Sequence, residues 1–400
     1  MPNTHHPSDT QTGFEILDSF ERFSQRDDVF SRSFWDPEIR SDKSDLFYTT
    51  YRKPLDRWRK TEGFTQKDYA LRNASWHVTD IFAELKEESN RREGFLDEFT
   101  VLREGPSEKA PVESPAKMSA EIKHVAKLFG ADLVGVTHLD ERWLYTHKYS
   151  RMGESEKPQE IPHGPPNALP NAIVIAQSMD RELIETVPSA LSGAATGLGY
   201  SQDTLVLLAL TQYIRNLGYQ AIASMNDSAL AIPMAIQAGL GEYGRHGLLI
   251  TKEFGPRVRL GKIFTDLPLS HDQPIRFGVR EFCETCRRCS AACPVKAIPT
   301  GPPSVEPLNR SSIRGVRKWS VDGEKCFSFW ANQNSDCSIC IRVCPYNKDY
   351  SKWFNRAGRW LAGTPLRGFM LNLDEKLGFG KRKSPNSWWR QGQSKVNSRE

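Results

Sequence analysis

Residues 283–294 read Cys283-Glu284-Thr285-Cys286-Arg287-Arg288-Cys289-Ser290-Ala291-Ala292-Cys293-Pro294. The spacing is C-x2-C-x2-C-x3-C-P, the run that holds iron–sulfur cubes in bacterial ferredoxins. A second set, Cys326, Cys337, Cys340 and Cys344 followed by Pro345, repeats it with the first interval stretched from two residues to ten. These are all eight cysteines of the 400-residue chain. Three thiolates spaced by two residues can wrap one cube from a tight loop, and soft sulfur donors suit iron. The fourth cysteine of each run points away along a short helix and ligates the other cluster. The expected sets are therefore Cys283, Cys286, Cys289 and Cys344 on one four-iron four-sulfur cluster, and Cys293, Cys326, Cys337 and Cys340 on the second. Paired structural zinc sites also use C-x2-C pairs, but a proline directly after each fourth cysteine favours the ferredoxin pattern. A chain of this length with its own core has no need of disulfide staples.

Composition sets limits around that motif. Charged residues are 26% and hydrophobic ones 38%, values of an ordinary globular chain rather than a disordered one. Lys and Arg number 54 against 49 Asp and Glu, a net +5 too small for a dedicated nucleic-acid binder. Apolar runs such as Leu205-Val206-Leu207-Leu208-Ala209-Leu210 fall far short of the ~20 residues a membrane helix needs. The first thirty residues hold no basic region followed by an apolar stretch. Arg91-Arg92-Glu93-Gly94-Phe95-Leu96 has the twin arginines of an export signal but lies mid-chain, where it reads as a charged helix end. A cytoplasmic location is expected; the alternative is a trimmed leader and the outer face of the cytoplasmic membrane.

Four regions are expected: an N-terminal arm with its linker over 1–117, a domain over 118–278, the cluster module over 279–350, and an extension over 351–400. The arm is rich in aromatics, among them Phe20, Phe23, Phe30, Phe34, Trp35, Phe47, Tyr48, Tyr51, Trp58 and Trp76. Most read as packing anchors of an extended arm, and a minority as a pocket roof. Met118, Ile122, Val125, Ala126 and Phe129 keep helical spacing before Gly130. Segments 132–137 and 172–176 read as buried strands, with a long proline-rich loop from His138 to Pro170 between them. A helix is expected over 201–217, a strand over 219–223 and a second helix over 228–238. Segments 246–251 and 257–264 read as a hairpin-like pair. The middle domain is thus α/β or α+β, with helices covering a sheet. More than half of the chain precedes Cys283, so the clusters are expected to deliver electrons into that domain.

Several blocks carry a resemblance. Ala194-Ala-Thr-Gly-Leu-Gly-Tyr-Ser201, Asn226-Asp227 and Gly239-Leu-Gly-Glu-Tyr-Gly-Arg-His-Gly-Leu-Leu-Ile-Thr251 resemble the corrinoid-dependent reductive dehalogenases. So do Phe254-Gly-Pro-Arg-Val-Arg259, Phe264-Thr-Asp-Leu267 and Phe277-Gly-Val-Arg-Glu-Phe-Cys283, which runs into the cluster motif. The likeness spans roughly residues 118–350 and fades at both ends. It implies a nitroreductase-like corrinoid-binding domain, a base-off cobalamin or related corrinoid, and a bacterial ferredoxin-like module with two 4Fe-4S clusters. It also implies that Tyr200 donates a proton, with Asn226 as its amide partner and Arg259 as a neighbouring cation. Thr196 and Trp330 correspond to pocket walls. Individual corrinoid contacts are not assigned.

Each of these residues has a plainer reading. Tyr200 fits a helix-start aromatic, Asn226 a turn or N-cap, and Arg259 a solvated cation or salt-bridge partner. Thr196 and Trp330 fit core packing. The implied partners are a small organohalide, a low-potential electron donor and the small membrane-anchor protein that relatives carry. No nucleic acid is expected. Relatives usually begin with a twin-arginine leader, which this chain does not display. Two other readings compete: an epoxyqueuosine reductase-like enzyme acting on transfer RNA, with an acidic proton donor and a basic docking surface, and a non-catalytic electron carrier or corrinoid-binding protein.

Overall fold

The computed structural model describes residues 15–52, 59–88, 102–150, 159–162, 169–226 and 228–397. Trp58, the segment Arg91–Leu96 and Asp227, each singled out in the sequence, lie outside the described residues. Three helices come first: α1 (Val29–Trp35), α2 (Asp42–Arg52) and α3 (Gln66–Glu88). The expected extended arm is therefore helical. Asp28 caps α1 by accepting the Phe30 N–H, and three of the arm's helices bury their aromatic sides against later parts of the chain.

At the centre lies a four-stranded antiparallel sheet of β1 (Leu133–His138), β2 (Asn171–Ser178), β3 (Ala221–Ser224) and β4 (Val258–Thr265), in the order β1-β2-β4-β3. Strand β2 is apolar from Ala172 to Ala176 and buried along almost its whole length, because both of its faces are covered. Ile173 and Ile175 face one layer, while Ala172, Val174 and Ala176 face the other, following the two-residue period of a strand. The first layer is α4 (Pro115–Leu128) with α5 (Ala190–Asn216), which contribute Ile122, Val206, Leu207 and Leu210. The second is α6 (Ala231–Gln237), with Met234, Ala235 and Ile236. The α/β expectation is met, and helix α4 ends at Phe129 with Gly130 at φ +106° beyond it, as its spacing indicates.

Three local expectations are corrected. The helix expected to start at Ser201 starts at Ala190, so Tyr200 lies in mid-helix rather than at a helix start. Gly193, Gly197 and Gly199 made that stretch look unlike a helix, yet the second sits where α3 crosses: a Cβ on Gly197 would lie 2.3 Å from Trp76. The loop from His138 to Pro170 contains a hairpin, His147–Ser150 paired with Gln159–Pro162. The hairpin expected between 246–251 and 257–264 does not form. Leu249–Ile250 pairs instead with Glu242–Tyr243, and β4 leaves to join the main sheet. Burial decides this: β4 is covered along almost its whole length, a position inside the sheet between β2 and β3.

The cluster region holds α7 (Val279–Thr285), α8 (Arg288–Ala292), α9 (Gly323–Gln333) and α10 (Ile339–Arg342). Two further helices, α11 (Trp353–Ala362) and α12 (Arg367–Lys376), close over it. Helices α1 and α2 dock on α9 through Val29, Phe47 and Phe327. Arg32, fully buried, ties α1 to the same helix by pairing with Asp36 and Glu324. Among the described residues no helix is long and apolar enough to cross a membrane.

Candidate active site and cluster-binding loops

The chain crosses itself at the cysteines. Cys283, Cys286, Cys289 and Cys344 surround one small hollow whose other walls are His246, Phe282, Pro345 and Tyr346. Cys293, Cys326, Cys337 and Cys340 gather on the wall of a much larger cavity. The last cysteine of each run thus sits with the first three of the other, the grouping expected from the spacing. All eight thiols are free. Burial pushes Cys289 and Cys337 up to about 11 and Cys326 up to about 12, so these thiols are uncomfortable as bare anions. Soft donors in two apolar quartets fit iron–sulfur cubes, whose iron takes up the thiolate charge. Arg245, which the sequence reading passed over, braces the first hollow. Its buried guanidinium donates to the carbonyls of Cys283 at 2.7 and 3.0 Å, of Gly301 at 2.7 Å and of Pro299 at 3.1 Å.

The larger cavity measures about 1160 Å3. That exceeds the ~300–1,000 Å3 of an ordinary small-molecule pocket, so it has room for a macrocycle with a substrate beside it. Its roof comes from α1 to α3, with Phe34, Phe47, Tyr48, Tyr51 and Trp76. Another part of the lining is an apolar strip of Ala229, Leu230, Ala231 and Ile232. Buried polar atoms of several cavity-lining residues, among them His246 Nε2 and Asp336 Oδ2, have no hydrogen-bond partner within the chain. Broad apolar walls with a few unanswered polar groups fit a corrinoid, a flat ring edged with amides. His246 lines both hollows, placing it between the first quartet and the cavity.

Tyr200, Asn226 and Arg259 meet at one edge of this cavity. Asn226 Nδ2 donates to the Tyr200 hydroxyl at 2.7 Å and Arg259 Nη1 at 3.3 Å. The three come from α5, the segment after β3, and β4, so the sheet and its covering helix fix the spacing. Trp76 packs against the Tyr200 ring at 5.0 Å between centroids, and the Arg259 guanidinium lies over that ring at 5.2 Å. A phenol has two acceptor lone pairs and one O–H. Both acceptor positions are answered here by N–H donors, which leaves the O–H to point toward a third group.

Thr196, one turn before Tyr200, and Trp330 on α9 both line the cavity. Trp76, noted only as one of many aromatics, proves to be the ring against Tyr200. Asp203 and Asp336 were not singled out at all. Asp203 is fully buried on α5, and neither of its carboxyl oxygens has a hydrogen-bond partner. Burial pushes its carboxyl up to about 8 despite the nearby charges of Arg259 and Lys262. Asp336, next to Cys337, accepts the Tyr51 O–H at 2.6 Å, and burial raises its carboxyl as well. Nothing in the local sequence marks either residue, since only the tertiary packing removes them from water.

Comparison with known proteins bears on the fold and the cysteine-rich region. Residues 160–269 match the model of the reductive dehalogenase subunit, and residues 282–347 that of the 4Fe-4S double cluster binding domain. The tetrachloroethene reductive dehalogenase of Sulfurospirillum multivorans is 36% identical over 298 residues, covering 69% of this chain and 59% of that protein. A solved catabolic reductive dehalogenase in complex with 3-bromo-4-hydroxybenzoic acid superposes over 92% of this chain and 48% of its own, with TM-score 0.71 and 23% identity. A second solved structure, of a reductive dehalogenase described as suggesting a mechanism for B12-dependent dehalogenation, gives TM-score 0.72 at 22% identity, over 92% of this chain and 48% of that one. The chain thus spans about 59% of the length of the curated relative. With this fold, this pair of cysteine sets and this degree of identity, the chain belongs to the reductive dehalogenase family.

Proposed function

We propose that this protein is a corrinoid-dependent reductive dehalogenase that replaces halogen by hydrogen on a small organohalide. The observation that carries the reading is the Tyr200 phenol, held by Asn226 and Arg259 at the edge of a macrocycle-sized cavity whose wall is the second cysteine quartet. Residues 118–278 are taken as the corrinoid-binding unit and 279–350 as the cluster unit. The apolar strip at 229–232 and the aromatic roof are taken to hold the ring. A corrinoid held there would supply a low-potential metal centre able to cleave the carbon–halogen bond. Replacing that bond by carbon–hydrogen consumes two electrons and one proton and releases halide.

In this reading Cys283, Cys286, Cys289 and Cys344 would hold the cluster nearer a low-potential donor, and Cys293, Cys326, Cys337 and Cys340 the one on the cavity wall; the pair would supply one-electron relay chemistry to the cavity. Tyr200 gives its proton from the hydroxyl, and the N–H groups of Asn226 and Arg259 stabilise the oxyanion left behind. Arg259 suits this task because its planar guanidinium presents a fixed fork of N–H donors. Thr196, Trp330 and the roof shape the substrate space and exclude water. Both the small anchor protein known beside relatives and the cellular compartment belong to this proposal.

The test is halide release by anaerobically reconstituted protein, given cobalamin and a reduced viologen dye. The substrates are a panel of brominated and chlorinated phenols and ethenes. Release that requires both cobalamin and the dye is expected. Protein with full iron and corrinoid content that releases no halide from any panel member would refute the reading.

A further inference from the structure

Helix α11 is mounted with its apolar side outward. Trp353 and Trp360, two turns apart on one stripe, are 72% and 71% exposed, and Phe354 beside them is exposed too. The side turned to the body carries the polar Asn355 and Arg359 and the small Ala362. Asn355 donates to the Asp349 carbonyl at 2.7 Å, and Arg359 donates to the Lys252 carbonyl. A surface helix of a globular protein ordinarily does the reverse. Its neighbour α12 repeats the pattern in part. Met370 and Asp374 face inward, while Phe369, Leu373 and Leu377 remain exposed one and two turns apart. Of fifteen large apolar side chains exposed among the described residues, seven lie between 353 and 377.

Charge gathers in the same region. Residues 351–400 contain eleven Lys and Arg against three Asp and Glu, a net of +8, whereas the whole chain carries +5. The first 350 residues are therefore net acidic. Lys352 at the N-cap of α11, Arg356 on α11 and Lys376 on α12 are exposed beside the apolar stripes. Trp, Phe and Leu on one face with Lys and Arg at its margin is the composition of a helix that lies in a lipid–water interface. Basic residues beside an anionic surface add attraction of about 1 kcal/mol each. A second copy of the chain fits less well, because it would bring +8 against +8.

We propose that the outward faces of α11 and α12 seat this protein directly on an anionic lipid bilayer. The inner sides of these helices, through Ala362 and Met370, pack in the same cluster as Cys283, Cys286 and Cys344. Seating therefore puts the first quartet, and not the cavity, next to the lipid. The inference is independent of the catalytic reading.

Full-length reconstituted protein should float with vesicles of phosphatidylcholine containing a minor share of phosphatidylglycerol. It should bind pure phosphatidylcholine vesicles several-fold less, and salt should weaken the binding to the mixed ones. Tryptophan emission should shift to the blue on binding. Trp353→Ser with Trp360→Ser should lower partitioning by about tenfold or more, with iron content and dye-driven halide release unchanged. Lys352→Glu with Arg356→Glu should lower binding to the mixed vesicles only. Failure to float with them at low salt would overturn the proposal, and so would wild-type binding by the tryptophan variant. Self-association abolished by the tryptophan pair, without lipid binding, would also overturn it and assign the face to a second copy.

Discussion

Tyr200 has its oxygen held by two donors and its ring against Trp76, so removing the hydroxyl leaves the packing intact. Tyr200→Phe should keep iron and corrinoid content and change stability little, because the Asn226 amide it frees is exposed to water. Halide release should nevertheless fall by roughly 10²–10⁴-fold, the usual share of a general acid. Arg259→Lys should cost less than Arg259→Ala, since a cation remains but the planar fork is lost. Asp203 supports a separate expectation. The unfolded chain ionises this carboxyl near 3.8, whereas the folded chain holds it protonated up to about 8. Each step of rising pH within that interval therefore favours the unfolded state, by up to about 1.4 kcal/mol per pH unit. Wild-type stability minus that of Asp203→Asn, from denaturant titrations between pH 5 and 8, should decline as pH rises; a flat difference would show Asp203 ionised throughout. The tyrosine, amide and arginine were legible as residues because the sequence blocks around them resemble a family. Asp203 was not, because a lone aspartate in a helix gives no sign of how deeply the helix will be buried.

At the scale of elements, function depends on how closely α3 lies against α5. Gly197 leaves the space that the Trp76 indole fills, and a methyl group there would lie 2.3 Å from the ring and 2.5 Å from Ser75 Oγ. Gly197→Ala should push Trp76 away from Tyr200 even though alanine is the better helix former. Turnover should fall while both cysteine sets still load with iron, and a wild-type kcat would show that the Trp76–Tyr200 contact is dispensable. The glycines that permit this approach are also what hid the first eleven residues of α5 from a reading based on helix propensity. The all-apolar signal worked where burial is complete, at β2. The pairing expected between 246–251 and 257–264 failed, because the main sheet claimed the second run. A strand's choice of partner is a tertiary decision that local pattern does not record.

Over the whole molecule, the cysteine spacing was the most legible feature, since ligand geometry is written directly into sequence intervals. Reconstituted protein should bind about eight iron and about eight acid-labile sulfide per chain. Cys293→Ser should remove close to half of each and erase the signature of the cavity-side cluster while the other persists. Loss of the other cluster instead would mean the crossover between the two runs is misassigned. The roof was the least legible part, because its aromatics answer to partners some three hundred residues away. Phe30 meets Phe327 at 5.4 Å, and Phe47 meets Phe327 at 5.9 Å. That separation has a consequence for biogenesis. A ribosome delivers α1 and α2 first and their seat on α9 among the last segments, so the nascent chain has nothing to close its roof upon. The hollow stays gaping until synthesis is nearly done, and a bulky cofactor can be enclosed during assembly rather than threaded in afterwards. Once closed, its exchange would wait for α1 and α2 to unseat, so cofactor release from the finished chain should quicken in mild denaturant well before global unfolding.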